Sequence, residues 1–208
     1  MTTTDCRPLA LLTSLWFGGL ILSGWHPFDR ATWWMEVAPV LVVLPVLWGT
    51  RRRFPLTPLA MVLIAVHGVI LMIGGAYSYA RVPAGFVMQD WLHLARNPYD
   101  RIGHFAQGFV PAIVLRELLF RGGGIARGPL LTVLVLACCL AISAAYELIE
   151  FGAAVWLGQG ADAFLGTQGD PWDTQWDMLT CMIGASVALL LLTRLHDRQI
   201  ARRLPPGR

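Results

Sequence analysis

Six long apolar runs divided by short polar connections constrain this chain more than any other feature. They cover residues 9–25, 33–49, 59–79, 102–120, 129–157 and 178–195. A helix rises 1.5 Å per residue, so about 20 residues cross a hydrocarbon core roughly 30 Å thick. Within that core the backbone has no water to bond, so each run must satisfy its own N–H and C=O groups as a helix. The expected fold is all-α, a polytopic helix bundle with about six transmembrane helices and the lipid bilayer as its surroundings. A single integral membrane domain over 1–208 is expected. Composition agrees, with 56% hydrophobic residues, 14% charged and a mean hydropathy of +0.57. Soluble domains carry about 25% charged residues, so a soluble enzyme and a disordered chain are both excluded.

The second run is the least regular, because Glu36 stands near its start and Pro39 and Pro45 lie inside. Proline removes a backbone donor and bends a helix, although neighbouring helices can compensate in a membrane. The first run follows Arg7, but Ser23-Gly24-Trp25-His26-Pro27 offers no small-x-small cleavage site, so a retained helix is expected.

Arginine placement sets orientation. The chain has 16 Arg and no Lys. With the N-terminus inside, twelve Arg fall in inner segments (Arg7, Arg51, Arg52, Arg53, Arg116, Arg121, Arg127, Arg194, Arg198, Arg202, Arg203, Arg208). Four (Arg30, Arg81, Arg96, Arg101) fall outside. This positive-inside asymmetry predicts cytoplasmic termini. The acids distribute oppositely, with Asp5, Glu117 and Asp197 inside and the other ten outside or at outer helix ends. The net charge of +3 is thus a topological signal, and no nucleic-acid partner is expected. Trp25, Trp33, Trp34, Trp91, Trp156, Trp172 and Trp176 fall at or beyond the outer ends, where interfacial anchors belong. Cys6, Cys138, Cys139 and Cys181 show no disulfide or zinc spacing and read as small apolar residues.

The outer connections are the longer ones. Asp90-Trp91-Leu92-His93-Leu94-Ala95 reads as a short interfacial helix, and the glycine-rich stretch 158–170 has no helical period. Long ordered loops without their own secondary structure are often functional, and a plain connection explains this one equally well. Gly122-Gly123-Gly124 predicts a tight inner turn.

Two stretches repeat one another where the chain re-enters the membrane from outside. Asn97-Pro98-Tyr99-Asp100-Arg101-Ile102-Gly103-His104 opens the fourth run, and Asp170-Pro171-Trp172-Asp173-Thr174-Gln175-Trp176-Asp177 opens the sixth. Asn97 and Asp170 are suited to N-caps, Pro98 and Pro171 to the first helical position, and Asp100 and Asp173 to the third, where a carboxylate meets free N–H groups. Capping does not account for His104 and Asp177, each one turn deeper on the face of its Asp. The fifth run brings Glu147 and Glu150 to the same depth, since 17 residues from Leu130 to Tyr146 span about 26 Å.

So many carboxylates cannot all stay ionised side by side without compensation. Either protons are shared, or Arg81 and Arg101 pair with some, or a cation neutralises them. Asp100, His104, Asp173 and Asp177 are the candidate metal ligands, with Glu147 and Glu150 as candidate general bases. A divalent cation is the implied cofactor: a His-plus-carboxylate set suits Zn, Mn or Fe, and a mostly oxygen set suits Mg or Ca. Groups at membrane depth usually face a protein interior or a wet cavity. His67 reads as a neutral histidine bonded to a neighbouring helix, and Tyr77 and Tyr79 as interfacial anchors.

The strings Asn-Pro-Tyr-Asp-Arg-Ile-Gly-His-Phe, Tyr-Glu-Leu-Ile-Glu-Phe and Leu-Gly-Thr-Gln-Gly-Asp-Pro-Trp-Asp-Thr-Gln-Trp-Asp-Met resemble bacterial inner-membrane proteins of the YjdF type. The resemblance covers most of the chain and implies a multi-pass protein of the bacterial inner membrane, without naming a reaction. The Asp-x-x-x-His-Phe helix start is also similar to that of VanZ-like membrane proteins. Three functions are open at this point: a cation-dependent enzyme on a membrane or periplasmic small-molecule substrate, a small proton- or ion-coupled transporter, and an accessory protein whose acids tie helix ends together. The orientation is checked directly. A fluorescent protein fused after Arg203 should fluoresce and alkaline phosphatase fused there should stay inactive; an active phosphatase would reverse the assignment.

Overall fold

The computed structural model describes residues 6–157 and 167–203; Asp5, Asp162, Arg208 and most of the glycine-rich stretch (158–166) lie outside the described residues. Helices α1 (Arg7–Trp25), α2 (Arg30–Thr50), α3 (Pro58–Tyr77), α4 (Pro83–Leu92), α5 (Tyr99–Glu117), α6 (Pro129–Leu157) and α7 (Asp173–Ala201) follow in order, and no strand occurs among the described residues. A π-helical turn, Leu118–Gly122, closes α5.

Local signals place the helix starts. Proline opens α1, α3 and α4, where its missing N–H removes no helical bond. Asp29 caps α2, accepting from the Thr32 amide at 2.7 Å and hydroxyl at 2.8 Å. Those bonds hold its carboxyl below the usual carboxylate range. α2 runs on to Thr50 through both Pro39 and Pro45, so the irregular second run does form one helix.

Five helices, α1, α2, α3, α6 and α7, are long and apolar enough to cross a membrane. α5 is the exception. It has 19 residues, about 28 Å of helix, but carries Asp100, Arg101, His104, Gln107, Arg116 and Glu117. Asp100, His104, Arg116 and Glu117 are buried, so α5 is the interior helix that the apolar ones surround. One apolar cluster joins α1, α2 and α3 through Trp16, Val37, Val40, Ile64 and Met72. A second joins α3, α5, α6 and α7 through Ala60, Ile113, Val135, Cys139, Cys181 and Ala185.

The tightest packing is between α5 and α7, whose backbones touch. A Cβ on Gly108 would lie 1.8 Å from the Cys181 carbonyl oxygen, and one on Gly184 would lie 2.1 Å from that of Phe105. Only glycine permits this approach, as is common where membrane helices associate.

The arginine-rich end of this pair is closed by a polar cluster that local sequence patterns do not reveal. Glu117 and His196 are completely buried. Glu117 accepts from the Thr57 amide (3.1 and 3.2 Å) and hydroxyl (2.7 Å), from Arg121, and from His196 Nε2 at 3.1 Å. His196 Nδ1 meets Arg116 at 3.2 Å, and Arg116 donates to Asp197 at 2.7 Å. A neutral ring with its hydrogen on Nε2 satisfies both contacts. This end of the helix pair therefore holds a buried acid and a buried histidine bonded to each other.

Three sequence expectations shift. α3 ends at Tyr77, because Ser78 and Tyr79 turn left-handed at φ 52° and 44°. Tyr79 folds inward and is buried, its ring against Gly74 and Gly103, so only the exposed Tyr77 fits an anchor. The short connecting helix expected over 90–95 lies earlier, over Pro83–Leu92, and stops where His93 turns left-handed.

Gly108→Ala and Gly184→Ala are each expected to destabilise the bundle by about 1–3 kcal/mol. The readout is a lower thermal midpoint in detergent, whereas Gly18→Ala and Gly49→Ala, which meet open space, should not lower it. Glu117→Ala strands His196 and Arg121 and should cost about 3–5 kcal/mol by chemical unfolding.

Candidate metal centre

The two repeated entry stretches build turns before they build helices. Asn97 Oδ1 accepts from the Tyr99 amide at 3.0 Å, and Asp170 Oδ1 from the Trp172 amide at 2.9 Å. Each is a side-chain turn bonded two residues ahead rather than an N-cap. The helices then begin at Tyr99 and Asp173, with Pro98 and Trp172 at the cap positions. This corrects the expected register: both prolines stay outside, Asp100 is the second helical residue and Asp173 the first. The turns also tie the loops together, since Gln168 Oε1 accepts from the Asn97 amide (3.0 Å) and its Nε2 donates to the Asn97 carbonyl (3.1 Å).

A layer of ion pairs joins the start of α5 to that of α7. Arg101 meets Asp170 (3.1 Å), Asp173 (2.9 Å) and Asp177 (2.7 Å). Arg96 pairs with Asp173 and reaches Asp100 at 3.4 Å and Asp170 at 3.7 Å. Arg101 thus pairs with acids as expected. Arg81 does not belong to this layer; its guanidinium lies over the Phe28 ring, 4.0 Å from the centroid. Asp173 stands within this guanidinium pair, apart from the histidine.

One turn deeper, His104 gathers carboxylates from three helices. Its Nε2 lies 3.6 Å from Asp100 Oδ1, 3.8 Å from Glu147 Oε1 and 3.8 Å from Asp177 Oδ1. Ligand atoms of Asp100, His104 and Asp177 all lie within 4.8 Å of one another, and all three residues are buried. Ligands about 2.1 Å from one tetrahedral zinc are roughly 3.4 Å apart, so small side-chain movements would close this set on a cation. The other ring nitrogen, Nδ1, bonds to Gln107 Oε1 at 3.2 Å, and an amide oxygen can only accept. Nδ1 therefore carries the hydrogen, and Nε2 faces three carboxylates with a lone pair unless a proton or a cation stands between. Glu147 is buried, and its Oε1 has no hydrogen-bond partner among the described residues.

A cavity of about 430 Å³ opens beside this cluster. Asp100, His104, Gln107 and Glu150 line its polar end together with Glu36 and Tyr146. The structure thus brings Asp100, His104, Asp177 and Glu147 together, sets Glu150 on the adjoining cavity wall, and leaves Asp173 with the arginines. Sequence reasoning missed Glu36, which is buried and accepts from the Tyr146 hydroxyl at 2.9 Å. A charge inside an apolar span was its signal. It also missed Gln107, whose spacing of three from His104 on one helix face was readable. His67 lines the cavity too, but its Nε2 finds no partner among the described residues, contrary to the expected interhelical bond.

Residues 8–198 match the family described as "Predicted membrane protein (DUF2238)". The chain is 52% identical over 202 residues to "Inner membrane protein YjdF" of Escherichia coli (strain K12), covering 96% of this chain and 97% of that protein. No solved structure matches. The chain belongs to this family and is a multi-pass inner-membrane protein.

Proposed function

We propose that this member of the DUF2238 family carries a divalent-cation centre held by Asp100, His104 and Asp177, with Glu147 completing it, and that the centre acts on a membrane or periplasmic small-molecule substrate. One observation carries the reading: the buried Nε2 of His104 faces three carboxylate oxygens at 3.6–3.8 Å, and one of them, Glu147 Oε1, is bonded to nothing among the described residues. A buried carboxylate oxygen without a partner is costly, and a cation would relieve it while neutralising its neighbours. The mixed nitrogen and oxygen donors favour Zn, Mn or Fe over Mg or Ca. Gln107 on Nδ1 is the outer partner that fixes the ring of a metal-ligating histidine. A bound cation supplies Lewis acidity, activating water and polarising a phosphoryl or carbonyl oxygen. Glu150, on the cavity wall, is placed to exchange a proton with a molecule there.

Two observations set the other readings behind. A proton path would need an open group at the arginine-rich end, yet both oxygens of Glu117 and both nitrogens of His196 are already engaged. A purely structural cluster would bond its acids, as the Arg96 and Arg101 layer does, and Glu147 Oε1 is not bonded. The test is elemental analysis of protein purified without chelator. The wild type should hold about one divalent cation per chain; His104→Ala and Asp177→Ala should lose most of it, and Asp197→Ala at the other end should keep it. Sub-stoichiometric metal in folded wild type would sink the reading.

A further inference from the structure

The cavity that shares Asp100 and His104 with the proposed centre changes character along its length. Its polar end holds Glu36, Asp100, His104 and Glu150, and beyond these its walls are apolar, with Val43, Leu47, Leu71 and Val114 among them. Along α2 it runs from Glu36 to Thr50, 15 residues or about 21 Å. That exceeds half of a hydrocarbon core roughly 30 Å thick. Val46 and Ile142 belong both to its lining and to the exposed apolar surface, so the cavity opens sideways toward acyl chains. Within the apolar stretch lies His67, whose Nε2 is buried and without a partner among the described residues.

A water-soluble substrate would gain nothing from the apolar wall behind the ionic site, about 12 Å along α2 from Pro39 to Leu47. A lipid fits both parts at once. Its phosphate would meet the acidic end only across a cation, since bare carboxylates repel it, and its tail would fill the wall. We propose that the cavity seats a phospholipid, with the phosphate at the His104 centre, one acyl chain along α2 and α5, and a polar oxygen of the linkage at His67 Nε2. This names the substrate class of the proposed centre and rests on the cation reading above.

The experiment uses the full chain in nanodiscs, with metal content measured on the same sample. Two photoreactive probes carry identical diazirine acyl chains: phosphatidic acid, and diacylglycerol lacking the phosphate. Phosphatidic acid should label the peptides around Val43 and Val114 at least about tenfold more than diacylglycerol, and chelation should abolish that preference. Val114→Trp should remove the labelling and keep the metal; if that variant does not fold, Val43→Trp reads the same quantity. Equal labelling by both probes, or labelling spread over the exposed faces of α1 and α7, overturns the lipid seat. Full metal content without labelling of these peptides overturns the lipid seat alone. Preferential labelling in a chain without metal overturns both the cation reading and the placing of the phosphate at the His104 centre.

Discussion

The contact between the backbones of α5 and α7 at Gly108 and Gly184 decides where the buried charges of these two helices can go. With those two helices touching, the residues above and below the contact on each are forced into the same space. Toward one end Arg101 meets Asp173 and Asp177 and His104 meets Asp177; toward the other Arg116 meets Asp197 and Glu117 meets His196. A wider separation would leave these groups against lipid, where an ionisable side chain is expensive. The polar helix is tolerable in a membrane because of its glycine, and the clusters exist because the helix is tolerable.

This dependence also marks what could be read from sequence. The apolar runs are local signals, so α6 falls on 129–157 as expected and α2 stays one helix, long and apolar enough to cross a membrane, despite its prolines. The Asp-x-x-x-His spacing of α5 and the Asp-x-x-x-Asp spacing of α7 pointed to acids on shared faces, and the structure gathers Asp100, His104 and Asp177 within 4.8 Å. What stayed hidden was set by pairing across long sequence separations. Glu36 looked like a flaw in a span until Tyr146, 110 positions later, donates to it. His196 had no visible role because its partners, Glu117 and Arg116, lie 79 and 80 positions away. The register of the entry stretches was misjudged for a different reason. Asn and Asp before proline can either cap a helix or close a turn, and the choice depends on which N–H the side chain reaches.

The two polar clusters then differ in the property that separates scaffold from site. At the arginine-rich end the carboxylate of Glu117 sits between a threonine, an arginine and a histidine, and no water-sized opening exposes either Glu117 or His196. Replacing any partner there would only subtract bonds. At the acidic end the arginines bond Asp170, Asp173 and Asp177 and reach Asp100, but neither meets Glu147, whose Oε1 stays unbonded among the described residues beside an adjoining cavity. Folding leaves that end with an unbonded buried carboxylate oxygen and beside open space. A network meant only to join helices has no use for either, because unsatisfied buried groups weaken the bundle they are meant to hold. The incompleteness of the acidic cluster, set against the completeness of its counterpart in the same helix pair, is what directs the functional reading to His104 and its carboxylates.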